Sequence, residues 1–141
     1  TGRLNMFWDG MFMAMAHAAA NQSKATKLKV GAVAVNDGNV IGIGINGTPT
    51  GWYTNEDIDE TTGSTKDCVL HAEENLVSKL ARQGSSSDGA TLYCTTAPCV
   101  KCSRLLVQSG FVRVVYNSDY KNYEGLQLLE DLGVRVHKYK D

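Results

Sequence analysis

Residues 90–116 read ATLYCTTAPCVKCSRLLVQSGFVRVVY, and they predict a strand, a helix and a second strand in close succession. The runs 90–95 and 112–116 are apolar and rich in β-branched residues, which is typical of buried strands. Between them, residues 98–109 are predicted to form a helix, and Pro98 suits the first helical position, where no backbone N–H is needed. Alternating units this short predict a sheet with parallel strands and helices packed on its faces.

The segments on either side of this unit continue the alternation. They predict elements in the order α-β-β-α before the unit and α-β after it, over residues 7–21, 30–36, 40–45, 68–82, 123–132 and 134–139. Asp37-Gly38 is a hairpin turn signal, so the first two strands are expected to pair antiparallel. The whole pattern predicts an α/β fold of three layers, α/β/α, around a central mixed five-stranded sheet. Residues 1–141 are expected to form a single domain.

Composition and charge narrow the class of ligand. Of the 141 residues, 43% are hydrophobic and 21% are charged, and the formal net charge is −1. Proteins that bind nucleic acid usually present a basic face, whereas the Lys and Arg residues here are scattered and the polar stretch 50–66 is acidic around residues 56–60. We therefore expect a small-molecule ligand and no nucleic-acid partner. No apolar run approaches the roughly 20 residues that span a membrane, so no membrane partner is expected either.

Two short motifs carry the chemistry. The first is His71-Ala72-Glu73, and the second is Pro98-Cys99-Val100-Lys101-Cys102. Cys99 and Cys102 are three positions apart at the start of a predicted helix, so their sulfurs share one face and the helix dipole favours thiolate. Two thiolates and the His71 imidazole leave one corner of a tetrahedral zinc site open, which is the pattern of a catalytic site. Zinc lowers the pKa of a water at that corner, and Glu73 is expected to carry protons as the catalytic acid and base.

A structural zinc site is the alternative, and it needs a fourth ligand. Cys94 falls in a predicted strand, and Cys68 lies three residues before His71, so both are expected to be buried apolar thiols. H-x-E combined with P-C-x-x-C, each at a predicted helix start, therefore favours the catalytic site.

On these motifs the chain resembles the deoxycytidylate (dCMP) deaminases of the cytidine deaminase superfamily, most of all their bacterial and phage members. The resemblance also rests on the segments Ser23-Lys24, Val30-Gly31-Ala32-Val33 and Gly42-Ile43-Gly44-Ile45-Asn46-Gly47-Thr48-Pro49. The chain departs from that family at Ile45, where Tyr is usual, and at Gln22, where Arg is usual. The resemblance implies a cytidine-deaminase-like fold and zinc-dependent hydrolysis of dCMP to dUMP and ammonia, which supplies dUMP for thymidylate synthesis.

The same resemblance implies roles for residues outside the metal motifs. Asn46 would hydrogen-bond the deoxyribose hydroxyl, and Ala72 with the backbone of Thr96 and Ala97 would flank the pyrimidine. The other substrate-binding candidates are Ser23, Lys24 and Tyr120, for the 5′-phosphate, and Thr48. Members of the family are often homohexamers that dCTP activates and dTTP inhibits, with Mg²⁺ accompanying the triphosphate. The candidates for the effector site are Asn36, Gly44, Ile45, Asn46 and Gly47.

Two other functions stay open. The first is the same chemistry on tRNA adenosine or on free cytosine or cytidine. A tRNA enzyme should present a basic surface, and a free-base enzyme needs no phosphate-binding cation. The second is a non-catalytic zinc-binding regulatory module, which would have no chemical need for Glu73.

Cysteine usage indicates the compartment. Two of the four cysteines are spaced as metal ligands and the other two are expected in apolar surroundings, which favours reduced thiols over disulfides. No secretory signal peptide is expected. We therefore expect a cytoplasmic protein, in the host cytoplasm if the chain is encoded by a phage.

Overall fold

The helices and strands follow one another in the predicted order. The structure is a computed structural model that describes residues 2–140, with side chains from residue 7 onward. Its elements are α1 (Gly2–Ala20), β1 (Gly31–Asn36), β2 (Asn39–Ile45), α2 (Ala72–Gln83), β3 (Thr91–Thr96), α3 (Val100–Gln108), β4 (Arg113–Ser118), α4 (Glu124–Asp131) and β5 (Arg135–Lys138). In this described part of the chain, no helix has the length and apolar character to cross a bilayer.

The strands form one mixed sheet in the order β2-β1-β3-β4-β5. β1 pairs antiparallel with β2 and with β3, whereas β3 and β4 are parallel, as are β4 and β5. Asp37 and Gly38 connect β1 to β2 with φ angles of 51° and 75°. Positive φ at both positions is what a two-residue hairpin turn of this kind requires. The predicted mixed sheet and its antiparallel hairpin are confirmed.

Helices cover both faces of the sheet, because successive strand residues point to opposite sides. On one face, Ala32 of β1 belongs to a buried cluster with Leu76 of α2, Leu106 of α3 and Leu129 of α4. On the other face, its neighbour Val33 packs in a second buried cluster to which α1 contributes. The three-layer α/β/α architecture predicted from the element order is therefore confirmed.

The starts of α2 and α3, which lie at the metal motifs, differ from the prediction. α2 begins at Ala72 rather than at residue 68, because His71 has extended backbone angles and is the N-cap. α3 begins at Val100, and Cys99 is its N-cap with φ −73° and ψ 175°. The prediction that Pro98 occupies the first helical position is therefore wrong, since Pro98 precedes the cap. The other element ends agree within two residues, except that α1 begins at Gly2 rather than at residue 7.

A buried ion pair fastens α1 to the sheet. Arg113 of β4 donates two hydrogen bonds to the Asp9 carboxylate of α1, at 2.9 and 2.7 Å. The Tyr93 hydroxyl of β3 donates a third to the same carboxylate at 2.6 Å. All three residues are buried. Because each charge would be costly to bury alone, the paired arrangement holds the helix at one position on the sheet.

Candidate active site

The starts of α2 and α3 bring the three predicted metal ligands together. His71 caps α2, and its backbone N–H donates to the Glu74 carboxylate at 2.8 Å, which stabilises this helix start. Cys99 caps α3, and Cys102 lies three positions further on. Because α2 packs against β1, β2 and α3, and α3 directly follows β3, the two helix starts meet.

The three ligand atoms lie at distances that suit one zinc ion. His71 Nδ1 is 3.2 Å from Cys102 Sγ and 3.6 Å from Cys99 Sγ. All three atoms lie within 4.8 Å of one another. Tetrahedral zinc with ordinary Zn–N and Zn–S bonds would separate nitrogen from sulfur by roughly 3.5 Å. The donor set therefore fits zinc with three protein ligands, which is the ligand number of catalytic sites.

The alternative of a structural zinc site lacks its fourth ligand. Among the described side chains, neither Cys68 nor Cys94 belongs to the ligand group. Cys94 is fully buried in β3, where its thiol contacts the Val115 carbonyl at 3.7 Å. Cys68 is half-buried in the segment before His71.

The short contacts among His71, Cys99 and Cys102 shift the pKa values of these three groups. A hydrogen bond from the Cys102 thiol, together with the contact with His71, lowers the pKa of Cys99 to about 3 against the effect of burial. The same hydrogen bond and burial raise the pKa of Cys102 well above its usual range. The contact with Cys99 also raises the pKa of His71. One thiolate is thus stabilised at a helix N-terminus, as a metal ligand requires.

Glu73 lies in the first turn of α2 and lines the same cavity as His71 and Cys99. It is only 4% exposed, and burial raises its pKa to about 7, although the backbone and His71 oppose the rise. A carboxyl group that titrates near neutral pH can both accept and return a proton. Its environment therefore suits proton transfer beside the metal ligands.

A cavity of about 240 Å³ opens onto these groups. It holds most of the residues that the resemblance assigns to the substrate. Those that line it are Asn46, Ala72, Thr96, Ala97 and Tyr120. They come from the end of β2, the start of α2, the end of β3 and the loop after β4. The cavity therefore lies where four parts of the fold meet.

The other three substrate-binding candidates lie elsewhere. Lys24 and Thr48 line a neighbouring pocket of about 220 Å³, which shares Asn46 with the cavity. Ser23 is 3% exposed, and its hydroxyl donates to the Asn46 side-chain carbonyl at 2.7 Å. The structure thus gives Ser23 a contact to Asn46 rather than a place in the cavity wall.

Asn46 is held firmly at the boundary between the two pockets. Its side-chain carbonyl accepts hydrogen bonds from the Ser23 hydroxyl and, at 2.9 Å, from the Val30 backbone N–H. Its amide donates to the Leu28 carbonyl at 2.7 Å. An amide side chain has two donors and two acceptor positions. Within the described residues, one donor N–H of Asn46 therefore remains for a ligand.

Sequence reasoning missed two charged residues of the cavity wall, Lys27 and Asp57. Lys27 lies three positions after Lys24 in the same segment, and both side chains are exposed. The backbone path of this segment decides which of the two lysines lines the cavity, and that path cannot be read from the sequence. Asp57 lies in the long polar stretch 50–66, which its length alone marks as a candidate for function.

Three of the effector candidates lie together at the end of β2. Ile45, Asn46 and Gly47 line the neighbouring pocket. Gly44 instead packs against α2, where a Cβ atom would lie 2.4 Å from the Ala72 carbonyl oxygen. The close approach of strand and helix therefore explains this glycine.

The fifth effector candidate, Asn36, lies at the other end of the β1–β2 hairpin. Asn36 pairs with Asn39 beside the turn, whereas Ile45 pairs with Gly31. Asn36 lies five positions along β1 from Gly31, a distance of roughly 16 Å. The antiparallel hairpin therefore places Asn36 and Ile45 at opposite ends, and a shared effector site for the two residues stays a prediction.

Comparison with known proteins agrees with this fold and site. The family described as "Cytidine and deoxycytidylate deaminase zinc-binding region" matches residues 6–118. A deoxycytidylate deaminase of Mycobacterium phage D29 is 39% identical over 77% of this chain and 93% of its own length. The chain therefore belongs to the deoxycytidylate deaminase family of the cytidine and deoxycytidylate deaminase superfamily, and the predicted resemblance is confirmed.

Other relatives add to this comparison. The crystal structure of dCMP deaminase from the cyanophage S-TIM5 in complex with dCMP and dUMP has a TM-score of 0.89 and 39% identity, and the match covers 92% of this chain and 95% of that one. The deoxycytidylate deaminase of Saccharomyces cerevisiae is 38% identical over 94% of this chain and 45% of the yeast protein. The chain thus spans less than half the length of the yeast relatives that it matches.

Proposed function

We propose that this chain catalyses the zinc-dependent hydrolysis of dCMP to dUMP and ammonia. One observation carries the proposal: two members of the three-ligand metal group, His71 and Cys99, line one cavity with the buried Glu73 carboxyl and with Asn46, which among the described residues keeps one N–H available for a ligand. A three-ligand site leaves room for a reacting water. The S-TIM5 dCMP deaminase, a relative of known structure, was crystallised in complex with dCMP and dUMP.

The metal would be held by His71, Cys99 and Cys102, and bound zinc supplies the Lewis acidity that lowers the pKa of a reacting water toward about 7. Glu73 accepts a proton from the attacking water and passes it to N3 of the cytosine ring, which makes C4 more electrophilic. The water oxygen bonds to C4 as a hydroxyl group. Glu73 then takes the proton of that hydroxyl and delivers it to the amino group, so that the C4=O bond forms as the C4–N bond breaks and ammonia leaves. The balance is dCMP plus water to dUMP plus ammonia, with Glu73 returned to its starting state.

The cavity wall offers a contact for each part of dCMP. Ala72 and the backbone of Thr96 and Ala97 flank the pyrimidine in this proposal. The free N–H of Asn46 donates to the deoxyribose hydroxyl. Lys27 supplies the cation for the 5′-phosphate in place of Lys24, and the Tyr120 hydroxyl assists it. Support for this exchange of lysines is the placement of Lys27 on the cavity wall and of Lys24 on the neighbouring pocket.

Steady-state ammonia release tests the proposal directly. We expect the zinc-loaded protein to deaminate dCMP with a higher kcat/KM than deoxycytidine, cytosine or CMP. Glu73→Gln is expected to keep zinc and dUMP binding but to lose about 10²–10⁴-fold in kcat, because it removes positioned proton transfer. Full activity of this variant would exclude Glu73 from proton transfer, and zinc-loaded protein that releases no ammonia from any cytosine compound would exclude the reaction.

Two alternatives are outcomes of the same assay. Equal turnover of cytosine or cytidine would identify a free-base or nucleoside deaminase, and turnover of adenosine in a tRNA anticodon stem would identify a tRNA enzyme. Zinc binding without any ammonia release would identify a regulatory module. The near-neutral net charge and the lysine on the cavity wall favour a free nucleotide over these alternatives.

Nucleotide regulation is the second part of the proposal, in which dCTP activates the enzyme and dTTP inhibits it. The pocket beside Asn46 supports it, because Lys24 and Lys79 line that pocket together with Ile45 and Gly47 and could bind a triphosphate with Mg²⁺. Rates at subsaturating dCMP are expected to rise with dCTP and fall with dTTP. Lys79→Met should abolish both responses, and an enzyme indifferent to both triphosphates would rule out this regulation.

The remaining proposals concern the protein as a whole. We propose that residues 1–141 fold as one domain, assemble as a homohexamer and act in the cytoplasm, in the host cytoplasm for a phage protein, where the product dUMP supplies thymidylate synthesis. Support for assembly is the apolar surface of α1, with Phe7, Trp8 and Met11 exposed by 76%, 42% and 47%. Light scattering is expected to give six copies, and a stable monomer at micromolar concentration would contradict this.

A further inference from the structure

Two segments outside the sheet, in contact with each other, form part of the cavity wall. Segment 23–30, between α1 and β1, contributes Lys27 and Leu28, and segment 57–66, in the long loop before α2, contributes Asp57 and Thr65. A hydrogen bond joins the two ends of segment 57–66, because the Lys66 backbone N–H donates to the Asp57 carbonyl at 2.7 Å. It therefore forms a compact unit whose position depends on its contact with segment 23–30.

The Asp57 carboxylate makes that contact. One oxygen accepts from the Thr26 backbone N–H at 2.9 Å, and the other accepts from the Thr26 hydroxyl at 2.7 Å. Asp57 is only 4% exposed. Both carboxylate oxygens are thus engaged by one residue, and two bonds fix both the backbone and the side chain of Thr26.

This contact bears on the ligand because Lys27 is the next residue along the chain. Lys27 has a long, exposed side chain, and a flexible ammonium group contributes to binding only if its stem is held near the anion. Ser23, in the same segment, contacts the buried side of Asn46. The anchor at Thr26 therefore lies between Ser23, which contacts Asn46, and Lys27, which lines the cavity.

We propose that Asp57 is a positioning residue: through Thr26 it holds Lys27 against the phosphate of the nucleotide and so sets the preference for dCMP over the nucleoside. This inference rests on the proposed function, which requires a nucleoside monophosphate in the cavity. Asp57 itself touches neither the reacting atoms nor, in this proposal, the phosphate.

Charge alone predicts a change in phosphate affinity opposite to the one that this proposal predicts. The two explanations can therefore be distinguished by experiment. Asp57 places a negative charge on the wall of a cavity that would hold an anion, so its removal should strengthen phosphate binding by Coulomb's law alone. If Asp57 acts by holding Lys27, removal of its charge should weaken phosphate binding instead.

The experiment measures the affinity of the zinc-loaded protein for dUMP and for deoxyuridine by calorimetry. The variants are Asp57→Asn and Thr26→Val, with Thr26→Ser as the conservative rescue. Thr62→Val is the matched control, since its hydroxyl lies in the same loop and, among the described residues, accepts a hydrogen bond only from the Ser64 backbone N–H, at 3.3 Å. We expect dUMP to bind about tenfold more weakly to the first two variants and normally to the other two. Deoxyuridine, which lacks the phosphate, should change by less than about twofold.

A double substitution shows whether the effect passes through Lys27. In the Lys27→Met background, Asp57→Asn is expected to cause little further loss of dUMP affinity, because two residues that act as one unit are not additive. Independent, additive losses would overturn the proposal. Tighter or unchanged dUMP binding by Asp57→Asn, or an equal loss for dUMP and deoxyuridine, would overturn it as well.

These outcomes separate the inference from the proposed function. If the wild-type protein distinguishes dUMP from deoxyuridine through Asp57 but releases no ammonia from dCMP, the positioning role of Asp57 is supported and the proposed reaction is excluded. If the wild-type protein deaminates dCMP but binds dUMP and deoxyuridine equally, the proposed reaction is supported and the positioning role of Asp57 is excluded.

Discussion

His71 and Cys99 are both N-cap residues, and this shared position explains much of the chemistry of the site. An N-cap has extended backbone angles, so its side chain projects at the helix end where free N–H groups and the dipole favour negative charge. Cys99 is the thiol whose pKa is strongly lowered. Glu73, two residues after His71, is buried by the same helix start and so titrates near neutral pH.

Asp57 should contribute to stability in a pH-dependent way. Burial tends to raise its pKa, but the hydrogen bonds from the Thr26 side chain and backbone outweigh burial and hold the pKa below its usual value. A lowered folded-state pKa gives a stabilisation that is fully present above about pH 4 and is lost as the pH falls through the lowered value. We expect the wild type to have a higher Tm than Asp57→Asn at pH 7, with the gap closing below about pH 4. A gap of constant size down to pH 2 would contradict this.

At the scale of elements, a close backbone contact fixes the position of the start of α3 relative to α4. Gly125, in the first turn of α4, packs against the segment that leads into α3. A Cβ atom there would lie 2.3 Å from the Pro98 carbonyl oxygen and 2.8 Å from the Cys99 carbonyl carbon. The glycine therefore allows α4 to support the cap that carries a zinc ligand.

Gly125→Ala should displace this helix start. We expect a loss of about 1–3 kcal/mol in the free energy of unfolding, as for other overpacked sites, and a weaker affinity for zinc because Cys99 must move. Chemical denaturation and competition with a zinc chelator measure the two effects. The control is Gly10→Ala in α1, where among the described residues the new methyl would meet only the end of the Tyr139 side chain, with the hydroxyl oxygen at 3.0 Å. Equal behaviour of the two variants would show that the close contact at Gly125 is unimportant.

At the scale of the whole molecule, the zinc site and the attachment of α1 lie on opposite faces of the sheet. The ligands begin helices of the α2–α4 layer, whereas Asp9, Arg113 and Tyr93 join the sheet to α1. We therefore expect that a substitution that weakens the attachment of α1 lowers the free energy of unfolding and leaves the geometry of the zinc ligands on the other face unchanged.

Asp9→Ala tests this separation. It leaves the Arg113 guanidinium buried without its partner, and we expect a loss of about 3–5 kcal/mol in the free energy of unfolding. The folded fraction should still bind one zinc ion per chain with unchanged affinity. As a control, Lys138→Ala removes an exposed ion pair with Asp119 at 3.0 Å and should shift the Tm far less. A lower zinc affinity of folded Asp9→Ala protein would contradict the separation.

Local patterns were sufficient to predict the element order, the mixed sheet and the residues around the metal. Alternation and helical spacing depend on neighbours in the chain, and the ligand chemistry of His71, Cys99 and Cys102 depends on residue type and short spacing. The helix starts were less predictable, since Pro98 is compatible with more than one position near a cap and only the backbone angles distinguish them.

Long-range packing decided the rest of the site. Lys27 and Lys24 are equivalent as residue types, and only the path of segment 23–30 places Lys27 on the cavity wall. Asp57 reaches Thr26 across 31 positions of sequence, a contact that no local pattern encodes. Secondary structure and ligand identity were thus determined by interactions between near neighbours in the chain. The identity of the cavity-facing charges emerged only when distant segments packed together, because their positions depend on the whole fold.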